Sequence, residues 1–323
     1  MKHRFFFLIL VVFAYSICDA RKRHPVTTNG ENLSALTKVT DSSEPCITPF
    51  GGDNGKDLFF AIRENKKFFN IYKKDNPFSG AVVQKTVGKN YNFYPAYNAT
   101  IDKIAFHCAI EGANTSDIYM TNGTQGKALS QVTESANANE NHPCFSKDGI
   151  FIVYDKVSTS EIRRDNADKI PSKHPKYVAN SDVWMKNLQT GESVLLGNGY
   201  QPTFSPDGTK IAFVRYSPDA KSCTIWMMNT DGSNQIQVTD AKKGYALHPR
   251  FSPDGKQIVF DSWRKETKNT DIYIIDVEGN TLHQITSNES YDGRPYWTED
   301  GYIYFESDRG DVAGNRQIWR FKF

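Results

Sequence analysis

The sequence predicts an all-β protein: a six-bladed β-propeller with four-stranded blades, its last blade closed by the N-terminal strand. Three observations predict it. A turn signature between two short apolar runs recurs six times, in register, along the 323 residues. Third- and fourth-strand signatures follow the turns, so the unit is four antiparallel strands at propeller spacing. The composition agrees, since 13% aromatic residues with 22 Gly and 14 Pro suit a sheet-rich chain full of turns.

In chain order, residues 1–20 read as an export signal. Lys2, His3 and Arg4 make a positive start, and residues 5–17 are apolar apart from Tyr15 and Ser16. That run is short for a transmembrane helix, which needs ~20 residues. Cys18-Asp19-Ala20 offers small side chains where a signal peptidase reads, so cleavage is expected after Ala20. A lipid anchor at Cys18 is the lesser expectation, because Ile17 and Tyr15 stand where a small residue and a leucine are wanted. Residues 21–32 show no periodicity and read as a flexible linker. Residues 33–323 are assigned to the propeller, where length alone would suggest about two domains.

The turn signature is clearest in Phe204-Ser205-Pro206-Asp207-Gly208 and Phe251-Ser252-Pro253-Asp254-Gly255. Phe145-Ser146-Lys147-Asp148-Gly149 and Trp297-Thr298-Glu299-Asp300-Gly301 vary it, and two degenerate copies surround Phe50 and Tyr97. Pro fixes φ, Asp bonds its own backbone and Gly tolerates φ > 0, so an apolar run on each side makes a hairpin. A proline precedes each copy: Pro45, Pro95, Pro143, Pro202, Pro249 and Pro295, at separations of 50, 48, 59, 47 and 46. Third strands follow as Asp182-Val183-Trp184 or Asp271-Ile272-Tyr273, and fourth strands end as Gln237-Val238-Thr239 or Gln284-Ile285-Thr286. The sixth unit stops after its third strand, while Val39-Thr40 supplies a spare fourth-strand ending near the N-terminus. Strand 36–40 is therefore expected to complete blade 6 and leave no open edge.

Blades reading Pro-x-Phe-Ser-Pro-Asp-Gly, then Asp-Ile-Tyr, then Val-Thr resemble the TolB-type propeller repeat, PD40. The resemblance covers residues 33–323 and implies a six-bladed propeller working in the cell envelope. No α/β domain precedes the ring, so the role of the translocation protein is not carried over whole. No G-x-S-x-G segment supports a peptidase.

The residue before each repeat proline is expected at the channel mouth: Glu44, Tyr94, His142, Gln201, His248 and Arg294. All are polar, aromatic or ionisable, which fits a ligand-contact ring as well as plain solvent exposure. Residues 156–181, the one large insertion, carry a basic stretch on the same face and are a candidate partner surface, with 262–264 and 307–310 beside it. The leading expectation is an exported, non-catalytic binding module, a monomer in the periplasm or at the cell surface, that holds an envelope protein or glycan on its channel face. The alternative is a carbohydrate-active enzyme: oligogalacturonate lyases use similar propellers with a His-held metal, which would place His142 and His248 at a metal.

No catalytic residue, metal or cofactor is expected on the leading reading, since no nucleophile–base pair or calcium loop stands out. Removing residues 1–20 leaves 37 basic and 36 acidic side chains, a balance that speaks against nucleic acid as a partner. Cys46, Cys108, Cys144 and Cys223 remain. Cys108 and Cys144 fall in adjacent blades and could meet, but reduced buried thiols are the expected state.

Overall fold

The computed structural model describes residues 33–323 except 53–54, 78, 127, 160–179, 218–221, 241–243, 265–268 and 311–314. The export signal, Cys18, the linker and the body of the blade 3 insertion lie outside the described residues. Among the described residues the chain forms 24 β-strands and no α-helix. No helix there is long and apolar enough to cross a membrane.

The six innermost strands are Cys46–Gly51, Asn90–Asn98, Ala138–Phe145, Tyr200–Phe204, Tyr245–Phe251 and Asp292–Trp297. Each contacts the next, and the last contacts the first, so they stand around one axis. Each begins a four-stranded antiparallel blade. Single parallel bridges, Phe69 to Tyr91 and Cys223 to Tyr245, fuse blades 1 with 2 and 4 with 5 into eight-stranded sheets.

Second strands are the best-buried elements. Leu58 to Ala61, Ile104 to Phe106, Ile211 to Val214 and Ile303, Phe305 lie at 0% exposure, because neighbouring blades cover both of their faces. This is why they read as unbroken apolar runs and do not alternate. Burying each Phe or Ile stabilises the fold by ~1.5–3 kcal/mol. Aromatic contacts cross the seams, as between Phe59 and Tyr97, whose ring centroids are 4.6 Å apart.

The fourth-strand Thr has a specific task. Thr86, Thr133, Thr239 and Thr286 each accept the backbone N–H of a third-strand Ile through Oγ1, at 2.8–2.9 Å. Thr40 does the same for Ile318 at 2.8 Å. Strand Ser34–Lys38 pairs antiparallel with Gln317–Lys322, so the expected closure of blade 6 by the N-terminal strand is what the structure shows. Among the described residues the four cysteines are free thiols, and Cys46, Cys108 and Cys223 are buried. Burial pushes the Cys46 thiol up to about 11.

Candidate functional site

Each innermost strand breaks register once, and at the break one residue takes a left-handed backbone. These are Thr48 (φ 55°), Tyr94 (53°), His142 (50°), Gln201 (53°), His248 (52°) and Arg294 (49°). Such a conformation costs a non-glycine residue ~1–3 kcal/mol, and it persists only where the surroundings hold it. The bulge re-aims the side chain toward the axis.

Five of the six expected ring residues are therefore brought together. Glu44 is not among them: it precedes the strand and pairs with Arg63 Nε at 2.6 Å. Thr48, before Pro49, holds the position in blade 1. The spacing carried the signal, because Pro49 to Pro95 is 46 residues, close to the 46 and 47 of the later blades. Nor do the residues line an open mouth. His142, Gln201, His248, Arg294 and Thr48 are 1–7% exposed and fill the channel, with Tyr94 half-buried. Tyr94 and His142 have ring centroids 4.0 Å apart, and Tyr200 closes edge-on against His142 at 4.7 Å. The Arg294 guanidinium lies 5.7 Å from the Tyr94 centroid, reaching from blade 6 to blade 2 across the sector where blade 1 offers only the small Thr48.

Three acids missed by sequence reasoning organise this plug. Asp155, Asp261 and Glu306 occupy one equivalent second-strand position, directly after the apolar run. Asp155 Oδ1 meets His142 Nδ1 at 2.7 Å and accepts the Gln201 N–H of blade 4 at 3.0 Å. Asp261 Oδ1 meets His248 Nδ1 at 2.7 Å and accepts the Arg294 N–H of blade 6 at 3.0 Å. Glu306 accepts Arg294 Nη1, Arg316 Nη1 at 2.8 Å, and the Thr48 N–H of blade 1 at 3.0 Å. In blade 4 the equivalent residue is Val214, and the Gln201 Oε1 replaces the missing acid by accepting the His248 N–H at 2.8 Å. Thus four of the six strained residues, Thr48, Gln201, His248 and Arg294, are fixed by the blade before them. Burial pushes Glu306 toward neutrality, but Arg294 and Arg316 outweigh it and hold the carboxyl below its usual range. Burial lowers His248 in spite of Asp261, and takes His107, the blade 2 equivalent of Asp155, down to about 4.

Within the plug, Thr48 Oγ1, His142 Nε2 and Gln201 Nε2 are buried with no hydrogen-bond partner. Beyond it, toward the hairpin turns, the channel widens into a cavity of about 300 Å³ with walls from all six blades. Of the neighbouring loops, Arg309 offers no free cation, being buried and hydrogen-bonded to Asp292 through Nε at 3.1 Å.

Residues 178–323 match the TolB beta propeller domain family, PD40. That stretch carries the family's repeats, and the described chain as a whole has the TolB-like propeller fold. TolB from Acinetobacter baumannii superposes with a TM-score of 0.60 at 15% identity over 84% of this chain; the match spans 65% of that protein. Oligogalacturonate lyase from Vibrio parahaemolyticus gives 0.59 at 15% identity, covering 89% of this TolB-like propeller and 93% of the lyase. At such identities the likeness is one of fold. Among curated proteins, hydrazine synthase subunit alpha of Kuenenia stuttgartiensis is 36% identical over 74 residues, 21% of this chain and only 9% of that protein.

Proposed function

We propose that this TolB-like propeller is an exported, non-catalytic binding module that holds an envelope protein or glycan on its ring face. One observation carries the reading: Thr48 Oγ1, His142 Nε2 and Gln201 Nε2 lie at the axis with no hydrogen-bond partner in the protein. A buried polar group left unsatisfied costs ~1–3 kcal/mol, and a polar group inserted by a partner would recover it. The frame supports this use, because carboxylates of the preceding blades hold the backbones of Thr48 and Gln201 in place.

The lyase reading is favoured by two His–Asp pairs that fix Nδ1, as in carboxylate–histidine metal ligation. The donor set weighs against it. Among the described residues no three His, Cys, Asp or Glu converge as a metal site needs, and Arg294 brings a positive charge to the same plug.

The deciding experiment challenges immobilised protein with envelope extract and an acidic glycan panel. Wild type should retain a defined partner, and Gln201→Leu and Tyr94→Ala should weaken its capture tenfold or more. Capture indifferent to both variants would move the contact to the blade edges. Cleavage of acidic oligosaccharides with added Mn²⁺, lost in His142→Ala, would replace the binding reading with the lyase.

A further inference from the structure

The cavity on the hairpin-turn side of the plug is chemically unlike the ring. Two residues beyond each left-handed residue, the innermost strand points another side chain at the axis, one pleat (~7 Å) further along. Four of these, Phe50, Cys144, Thr203 and Tyr296, set the chemistry of the walls, and a fifth is Arg250.

Arg250 is the anomaly. It is half-buried, and among the described residues its side chain makes one hydrogen bond, from Nη1 to the neighbouring Pro249 carbonyl at 3.2 Å. Among the described residues no carboxylate pairs with it. The other charges in the walls, Lys147 and Glu299, are both exposed. Other half-buried arginines among the described residues are better answered, Arg63 by Glu44, Arg316 by Glu306, and Arg215 by the Asn198 carbonyl and Gln235 Oε1. Tyr296 packs on Phe50 with centroids 4.4 Å apart, and among the described residues none hydrogen-bonds its hydroxyl. Burial keeps that hydroxyl protonated, a donor within electrostatic reach of Arg250. Thr203 Oγ1 lies 3.7 Å from Cys144 Sγ, a weak partner that leaves the hydroxyl open to a better one. A guanidinium and two hydroxyls against aromatic walls make a receptor for an oxyanion attached to a flat body.

We infer that this axial cavity is a second binding site, for a small organic acid whose carboxylate pairs with Arg250 while its ring lies against Phe50 and Tyr296. The volume, about 300 Å³, suits a single-ring acid. The site is independent of the ring-face reading, because the plug lies between them.

The test is isothermal titration with benzoate and glucuronate, an aromatic and a sugar acid, and with neutral benzamide. At least one acid should bind wild type, with benzamide at least tenfold weaker than benzoate if the aromatic acid is the one that binds. Arg250→Met should lose the acid tenfold or more and Arg250→Lys retain part of it, with circular dichroism confirming both folds. Gln201→Leu should leave acid binding unchanged. The inference is overturned if neither acid binds, if Arg250→Met binds as wild type does, or if benzoate binds and benzamide matches it. None of these outcomes bears on partner capture at the ring.

Discussion

At the scale of single residues, the carboxylates behind the plug matter more than the ring side chains that sequence reading picked out. Asp261 accepts from both His248 Nδ1 and the Arg294 backbone, so Asp261→Asn removes a buried charge from two donors at once. Urea unfolding should show a loss of roughly 3 kcal/mol. His107 gives a pH signature. Its folded imidazole protonates only near 4, against 6.5 for the ordinary group. The unfolded chain therefore binds the proton first as pH falls. The stability gained by keeping His107 neutral is complete above 6.5 and drains away toward 4, on the order of 3 kcal/mol in all. Unfolding midpoints measured at pH 7 and pH 5 should differ less in His107→Gln than in wild type. The sequence showed an ionisable residue after the apolar run in blades 2, 3, 5 and 6. It did not show the use, because a side chain bonding the backbone of another blade has no local pattern. Glu44 was misplaced because Pro45 and Pro49 both look like the repeat proline, and only their spacing to Pro95 and the strand register separate them.

Among the elements, the N-terminal strand has the largest consequence for its size. Thr40 does for blade 6 what Thr86, Thr133, Thr239 and Thr286 do elsewhere, and it also donates to Gln317 Oε1 at 2.9 Å. Thr40→Val keeps the shape and strands the Ile318 N–H, so a loss of about 1–2 kcal/mol is expected in thermal or urea melts. Deleting residues 33–40 exposes the long edge of Gln317–Lys322, and light scattering should then report association. A scattering mass unchanged by that deletion would mean the edge is protected by something else. The closure was legible because Val39-Thr40 repeats the fourth-strand ending of Val132-Thr133 and Val238-Thr239, with Ile285-Thr286 a close variant. Left-handed residues before proline were not, since the residue before a proline ordinarily favours extended backbone. Tertiary hydrogen bonds to the backbones of Thr48, Gln201, His248 and Arg294 override that preference in four blades.

For the whole molecule, the repeat spacing alone was enough to place six blades around one axis, whereas the axis itself was misjudged. A mouth was expected, but the side chains are large enough to meet and plug it, which depends on volumes summed across blades and not on any one repeat. Closure predicts that the ring reports damage at a distance. Hydrogen exchange in a variant lacking residues 33–40 should speed up in Asp292–Trp297 and in Cys46–Gly51, the strands flanking the opened seam, more than in Ala138–Phe145 opposite. Uniform acceleration would show that the blades unfold as one unit.

The way a blade's second strand supports the strained residue of its successor has a consequence for how such a protein can be rebuilt. Blades 3, 5 and 6 export a carboxylate to the next blade, blade 4 exports the tip of Gln201, and blade 1 presents Ala61, with no side-chain acceptor to offer. The seam after blade 1 relies instead on Asn92 bonding to Asn70 and Thr86, and on Phe69 against Phe93. The six units share a template yet are not interchangeable parts. A gene in which blade 3 is replaced by a second copy of blade 1 would keep every hairpin and lose the acceptor for Gln201, so shuffled or duplicated blades should fold only when each brings its neighbour along.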